Sequence, residues 1–120
     1  HYYMAKMFKD AKQVPWAQAV NVIFPNQSGR GTHMNVSGVA LTKHAPNKDN
    51  AIKLMEFLAS ETGQALYAQK NTEYPVKPGI LWSPLQYSWG NFKEDSLSLA
   101  AVADNRAAAI KLADEVKYND

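Results

Sequence analysis

The chain has 120 residues, 46% hydrophobic and 20% charged, proportions that belong to a globular core and not to a disordered tail. Lys and Arg number 13 against 11 Asp and Glu, scattered along the chain for a net charge of +2, so no basic stripe indicates nucleic acid and no polybasic run indicates anionic lipid. The absence of cysteine excludes a disulfide framework and a thiolate metal site, and no apolar run approaches the roughly 20 residues that cross a bilayer.

The first residue is His1 and no signal-peptide pattern follows it, which reads as a longer N-terminal part removed or never included. Tyr3, Met4, Met7 and Phe8 fall at helical spacing, so a short helix is expected to start at or just after Tyr2 and Tyr3, and Pro15 ends or restarts it. Val20, Val22 and Phe24 alternate with Asn21 and Ile23 and predict a strand closed by Pro25. Asn26 to Gly31 is turn chemistry, and Thr32 to Thr42 reads as a second strand interrupted by Gly38.

Pro46-Asn47-Lys48-Asp49 signals a helix start, and Ile52, Met55, Phe57 and Leu58 continue it as packing residues. Ser60 with Gln64 nearby predicts a fresh helix after a tight bend. Tyr74 to Asn91 holds three prolines and two glycines beside Trp82, Tyr87 and Trp89, so an irregular connection anchored by aromatics is expected, with one short helix. Leu99, Val102, Ala103, Arg106, Ile110, Ala113 and Val116 predict one long amphipathic helix.

A pair of strands cannot make the layer that several amphipathic helices must cover, because a stable sheet needs at least about three. The fold class expected is therefore α/β with incomplete sheets, completed by residues outside this chain.

The run from Asn21 to Gly79 contains FPNQSGRGTHMNVSG, NKDNAIKLMEFLAS and NTEYPVKPG in that order, behind the pair Tyr2-Tyr3 and ahead of a closing helix ending in Asp114-Glu115-Val116. In these pieces the chain resembles the ferric-iron substrate-binding proteins of bacterial ABC importers. The resemblance implies the C-terminal portion of a two-lobed periplasmic-binding-protein fold, with residues 1–29 ending the second lobe and residues 30–120 forming the hinge crossing and completing the first. It implies a non-enzymatic carrier that captures Fe(III), with room for a synergistic anion, and delivers it to ABC permease subunits. Localisation would be periplasmic, or extracytoplasmic with a lipid anchor in a Gram-positive.

By motif the metal-binding tyrosines of that family fall on Tyr2 and Tyr3. Ferric iron is a hard cation that favours anionic oxygen, which a phenolate supplies. A phenol's ordinary pKa of about 10 means that binding releases protons and weakens in acid. Neighbouring side chains on a regular helix diverge by about 100°, so the pair suits the start of a helix, where the free N–H groups also favour anions. The remaining ligands would come from the missing N-terminal part.

Arg30 and His33 lie in the glycine-flanked hinge loop, as support for the cleft or as ordinary hinge hydrogen-bonding residues. His1, His33 and His44 lack zinc-site spacing. No G-x-S-x-G elbow accompanies Ser37, and Gly29-Arg30-Gly31 is no phosphate loop, so an enzyme is not indicated. Two alternatives stand beside the iron carrier: the same fold holding a polyamine, a phosphonate or thiamine, and a small helical module that binds a protein partner.

Overall fold

A computed structural model describes residues 1–118. It is helical: α1 (Tyr2–Met7), α2 (Val14–Gln18), α3 (Lys48–Ala59), α4 (Glu61–Leu66), a π-helical turn (Tyr67–Asn71), α5 (Pro84–Ser88), α6 (Leu99–Asp104) and α7 (Arg106–Glu115). Both predicted strands, Val20 to Phe24 and Thr32 to Thr42, are corrected: among the described residues they are irregular backbone, and the one ladder contact is an isolated parallel bridge between Thr32 and Glu94. The physical reason is pairing. Alternation marks which face would be buried, but a strand exists only where a neighbour offers matching N–H and C=O groups.

The chain forms two compact units. One comprises His1–Ile23 with Val36–Asn91, and the other Phe24–Asn35 with the chain from Phe92 onward. In the first, Ser60 ends α3 and caps α4, accepting from the Gly63 N–H at 3.1 Å while its own hydroxyl donates to the Phe57 carbonyl at 2.7 Å. That geometry forms the predicted bend. Gln64 does not close a capping box with Ser60. It is buried, donating to the Leu58 carbonyl at 2.9 Å and accepting from the Val76 N–H at 2.9 Å, and so ties the helix pair to the irregular segment beyond it.

That segment folds as its composition predicts. Ser83 and Gln86 form a capping box at the start of α5. Trp82 packs edge-on against Tyr74 at 5.0 Å and lies 5.5 Å from Tyr87, so the aromatics hold the proline-rich chain in place. Met55 is half-buried, whereas Phe57 is exposed on α3.

In the second unit the side chain of Gln27 takes the role of a strand neighbour. It accepts from the Lys93 N–H at 2.6 Å and donates to the Lys93 carbonyl at 3.1 Å. Thr32 continues the pairing, its N–H donating to the Lys93 carbonyl at 2.9 Å and its carbonyl accepting from the Asp95 N–H at 2.8 Å. Gly31 permits this approach: its φ is +101°, and a Cβ there would lie 2.6 Å from the Glu94 carbonyl oxygen. Phe24 stacks on Phe92 at 4.1 Å.

The single long C-terminal helix is also corrected. It breaks at Asn105, whose backbone sits at φ −90°, ψ −1° and whose side-chain amide donates to the Ala101 carbonyl at 2.9 Å. Asparagine competes with the backbone for helical carbonyls, and here it ends α6 while its own carbonyl starts α7. The apolar spacing runs through the break, which is why periodicity alone did not reveal it.

Candidate metal centre

Tyr2 and Tyr3 are the first two residues of α1, where the chain turns out of its entry segment into the helix. Their rings stack with centroids 4.7 Å apart and planes at 30°, despite the divergence that regular helical geometry gives to neighbours. Side-chain torsions therefore bring the two phenols together at the helix start. Both remain open to solvent, at 43% and 67% exposure, so an ion can reach them.

The Tyr2 phenol is held above its ordinary range, chiefly by its hydrogen bond with Tyr3 and then by the charge of Tyr3, with smaller contributions from burial and from the Glu73 carboxylate. Two phenols so placed resist ionising together when no cation lies between them. A bound cation reverses that preference, since each oxygen then faces positive charge.

Several neighbours complete the surroundings. The Lys6 ammonium lies 5.6 Å from the Tyr2 ring centroid and 5.4 Å from that of Tyr3. His1 meets Tyr2 edge-on at 5.7 Å and also approaches Tyr74 at 5.6 Å and Trp89 at 5.8 Å. Burial pushes the Tyr74 phenol up. Glu73 is oriented by a hydrogen bond from the Asn71 side-chain amide, across Thr72, whose φ of 58° is a left-handed conformation uncommon for a β-branched residue. This kink follows the π-helical turn, and Lys9 fastens the turn to the residues after α1 through a 2.8 Å bond to the Lys70 carbonyl.

Arg30 and His33 belong to the other compact unit. Arg30 pairs with Asp95, Nε to Oδ2 at 3.1 Å, but no N–H points in line with that oxygen, so the contact is one of charge and not a well-formed hydrogen bond. Asp95 is nearly buried and its other oxygen accepts from the Leu97 N–H at 3.0 Å. His33 is exposed.

Among the described residues no three His, Cys, Asp or Glu side chains converge as a metal site, and no helix is long and apolar enough to cross a membrane. The phenol rings of Tyr2 and Tyr3 are brought together by stacking at the start of α1. Lys6, Glu73 and Tyr74 were given no role from the sequence, and Trp89 was read as a loop anchor. Lys6 was within reach, four residues after Tyr2 and three after Tyr3 on one helix; the approach of the others to His1 and Tyr2 depends on tertiary contacts that no local spacing encodes.

Residues 3–96 match the family described as bacterial extracellular solute-binding protein. Iron uptake protein A1 of Synechocystis is 47% identical over 119 residues, covering 98% of this chain and 33% of that protein. The major ferric iron-binding protein of Neisseria meningitidis is 39% identical over a shorter stretch, 42% of this chain and 15% of that protein. Among solved structures, the apo ferric ion-binding protein A of Pasteurella haemolytica superposes with a TM-score of 0.92 at 52% identity, covering all of this chain and 38% of that one. A Trichodesmium protein in complex with iron and citrate ligands superposes at 0.84 with 40% identity, over 96% of this chain and 37% of that one. The chain therefore spans about a third of the length of such relatives. Its fold is a portion of the two-lobed fold of those binding proteins. On the match across residues 3–96, the chain belongs to the family of bacterial extracellular solute-binding proteins.

Proposed function

We propose that this chain is part of an extracytoplasmic carrier that captures ferric iron through the phenolate oxygens of Tyr2 and Tyr3 and passes it to the permease of an ABC importer. The observation that carries this reading is the stacked phenol pair at the start of α1. Relatives named for ferric iron and iron uptake support iron over a polyamine, a phosphonate or thiamine, and the family assignment leaves the independent helical module without support. The iron and citrate in the Trichodesmium relative support a synergistic anion as a further ligand.

The chemistry follows from the pair. The rings of Tyr2 and Tyr3 lie stacked, and Fe(III) displaces the phenol protons and takes both oxygens. Loading releases protons, and acid favours release of the ion. The proposed lobe assignment places residues 1–29 in the second lobe and 30–120 across the hinge into the first, with Arg30 and His33 in the crossing segment and the Arg30–Asp95 pair steadying it. Closure of the lobes is then driven by whatever extra affinity the closed state has for the loaded ion. A periplasmic location, with a lipid-anchored form as the alternative, fits the family's extracellular description.

The test uses the full-length protein. Ferric iron should produce a visible tyrosinate-to-iron charge-transfer band, and Tyr2→Phe with Tyr3→Phe should abolish it together with most of the affinity. Undiminished ferric affinity in the double variant would refute the assignment.

A further inference from the structure

The face of α1 that carries the tyrosines carries one other charged group within reach of both rings. Lys6 follows Tyr2 by four residues and Tyr3 by three, the two separations that set side chains over one another on a helix. Its ammonium is nearly equidistant from the two centroids, at 5.6 and 5.4 Å, and the rings beneath it are 4.7 Å apart. Among the described residues the ion pairs formed are Arg30 with Asp95 and Lys111 with Glu115, so no carboxylate holds the Lys6 ammonium away from the rings.

We propose that Lys6 is a positioning residue of the iron site, gathering the two rings into one unit that meets the ion ready-assembled. The inference rests on the reading of Tyr2 and Tyr3 as ligands. With neutral rings the ammonium is attracted only to the negative π-faces. Once iron has replaced the hydroxyl protons, the ammonium is attracted to the charged phenolates and repelled by the ion, two effects of opposite sign, so what it adds to iron affinity is the assembly of the two rings before the ion arrives. The group is exposed, so salt screens the effect. A solvated lysine that merely lies along the helix would leave the iron chemistry untouched.

The experiment adds ferric nitrilotriacetate to the full-length apoprotein and records affinity and absorption for the wild type, Lys6→Met and Lys6→Arg. Lys6→Met is expected to lose about two- to fivefold in affinity and to move the charge-transfer band to longer wavelength, because removing a cation raises the energy of the ring's donor electrons. Lys6→Arg should restore both, and 1 M salt should narrow the affinity difference. If Lys6→Met folds poorly, Lys6→Gln supplies the same comparison. An unchanged band and affinity in the neutral variants would overturn the role of Lys6, while a wild-type band that disappears in the double phenylalanine variant would leave the tyrosine reading standing. Absence of any band in the wild type would remove both.

Discussion

Replacing Gly63 with alanine tests the contact between α3 and α4 on which the irregular segment beyond them is hung. A Cβ at position 63 would fall inside contact distance of the Phe57 carbonyl oxygen, 2.9 Å from the Leu58 carbonyl oxygen and 3.0 Å from the Leu58 Cα. Carbon and oxygen ordinarily meet at about 3.3–3.6 Å. All these neighbours are backbone, so no side chain can swing aside and α4 must move off α3. Movement of that order lengthens the Ser60 cap, now 3.1 Å, and the bond from Gln64 to the Leu58 carbonyl, now 2.9 Å. Overpacking costs about 1–3 kcal/mol, and weakening a cap and a hydrogen bond adds about 1 kcal/mol each. Alanine returns at most about 1 kcal/mol through helix propensity. The net expectation is a loss of about 2–4 kcal/mol, read as a lower denaturation midpoint of the full-length protein at unchanged slope. A midpoint equal to or above that of the wild type would show that the two helices are not held as tightly as the geometry requires.

Ser83→Ala removes the side-chain acceptor at the start of α5 and should cost about 1–2 kcal/mol, with Ser83→Thr retaining most of it in the same melts. Burial raises the folded-state value of Tyr74 above that of a free phenol. Stability is therefore fully present below about pH 10 and falls as pH rises through the folded value, and Tyr74→Phe should flatten that alkaline decline. Arg30→Ala leaves the nearly buried Asp95 without its cation and should destabilise the protein by about 1 kcal/mol at low salt, with a smaller difference at 1 M salt because Arg30 is largely exposed.

The helices that were legible are those whose boundaries are written locally. Ser60 caps α4 through a bond to the residue three positions on and was read as a helix start without any tertiary information; Ser83 caps α5 in the same way but was not singled out among the prolines and aromatics around it. Asn105 shows the opposite case. Its break in the C-terminal helix depends on a side-chain amide choosing the Ala101 carbonyl, and the apolar periodicity on either side gives no sign of it. Thr32 failed as part of a strand for a different reason: its two backbone bonds go to Lys93 and Asp95, about sixty positions away, and little else along Thr32 to Thr42 finds such a neighbour among the described residues.

The tyrosine pair was recognisable by motif, but its working geometry was not. Stacking at 30° depends on torsions at the helix start, and the field acting on Tyr2 includes Glu73, whose position follows from a π-helical turn and a left-handed Thr72. Sequence periodicity assumes 3.6 residues per turn and says nothing about an inserted wider turn. That local irregularity has a consequence for the site: it swings the Asn71-Thr72-Glu73 stretch out of helical register and lets its carboxylate act on a phenol encoded some seventy residues earlier. A negative charge there opposes ionisation of Tyr2, and it comes from a residue that only the tertiary fold brings near the pair.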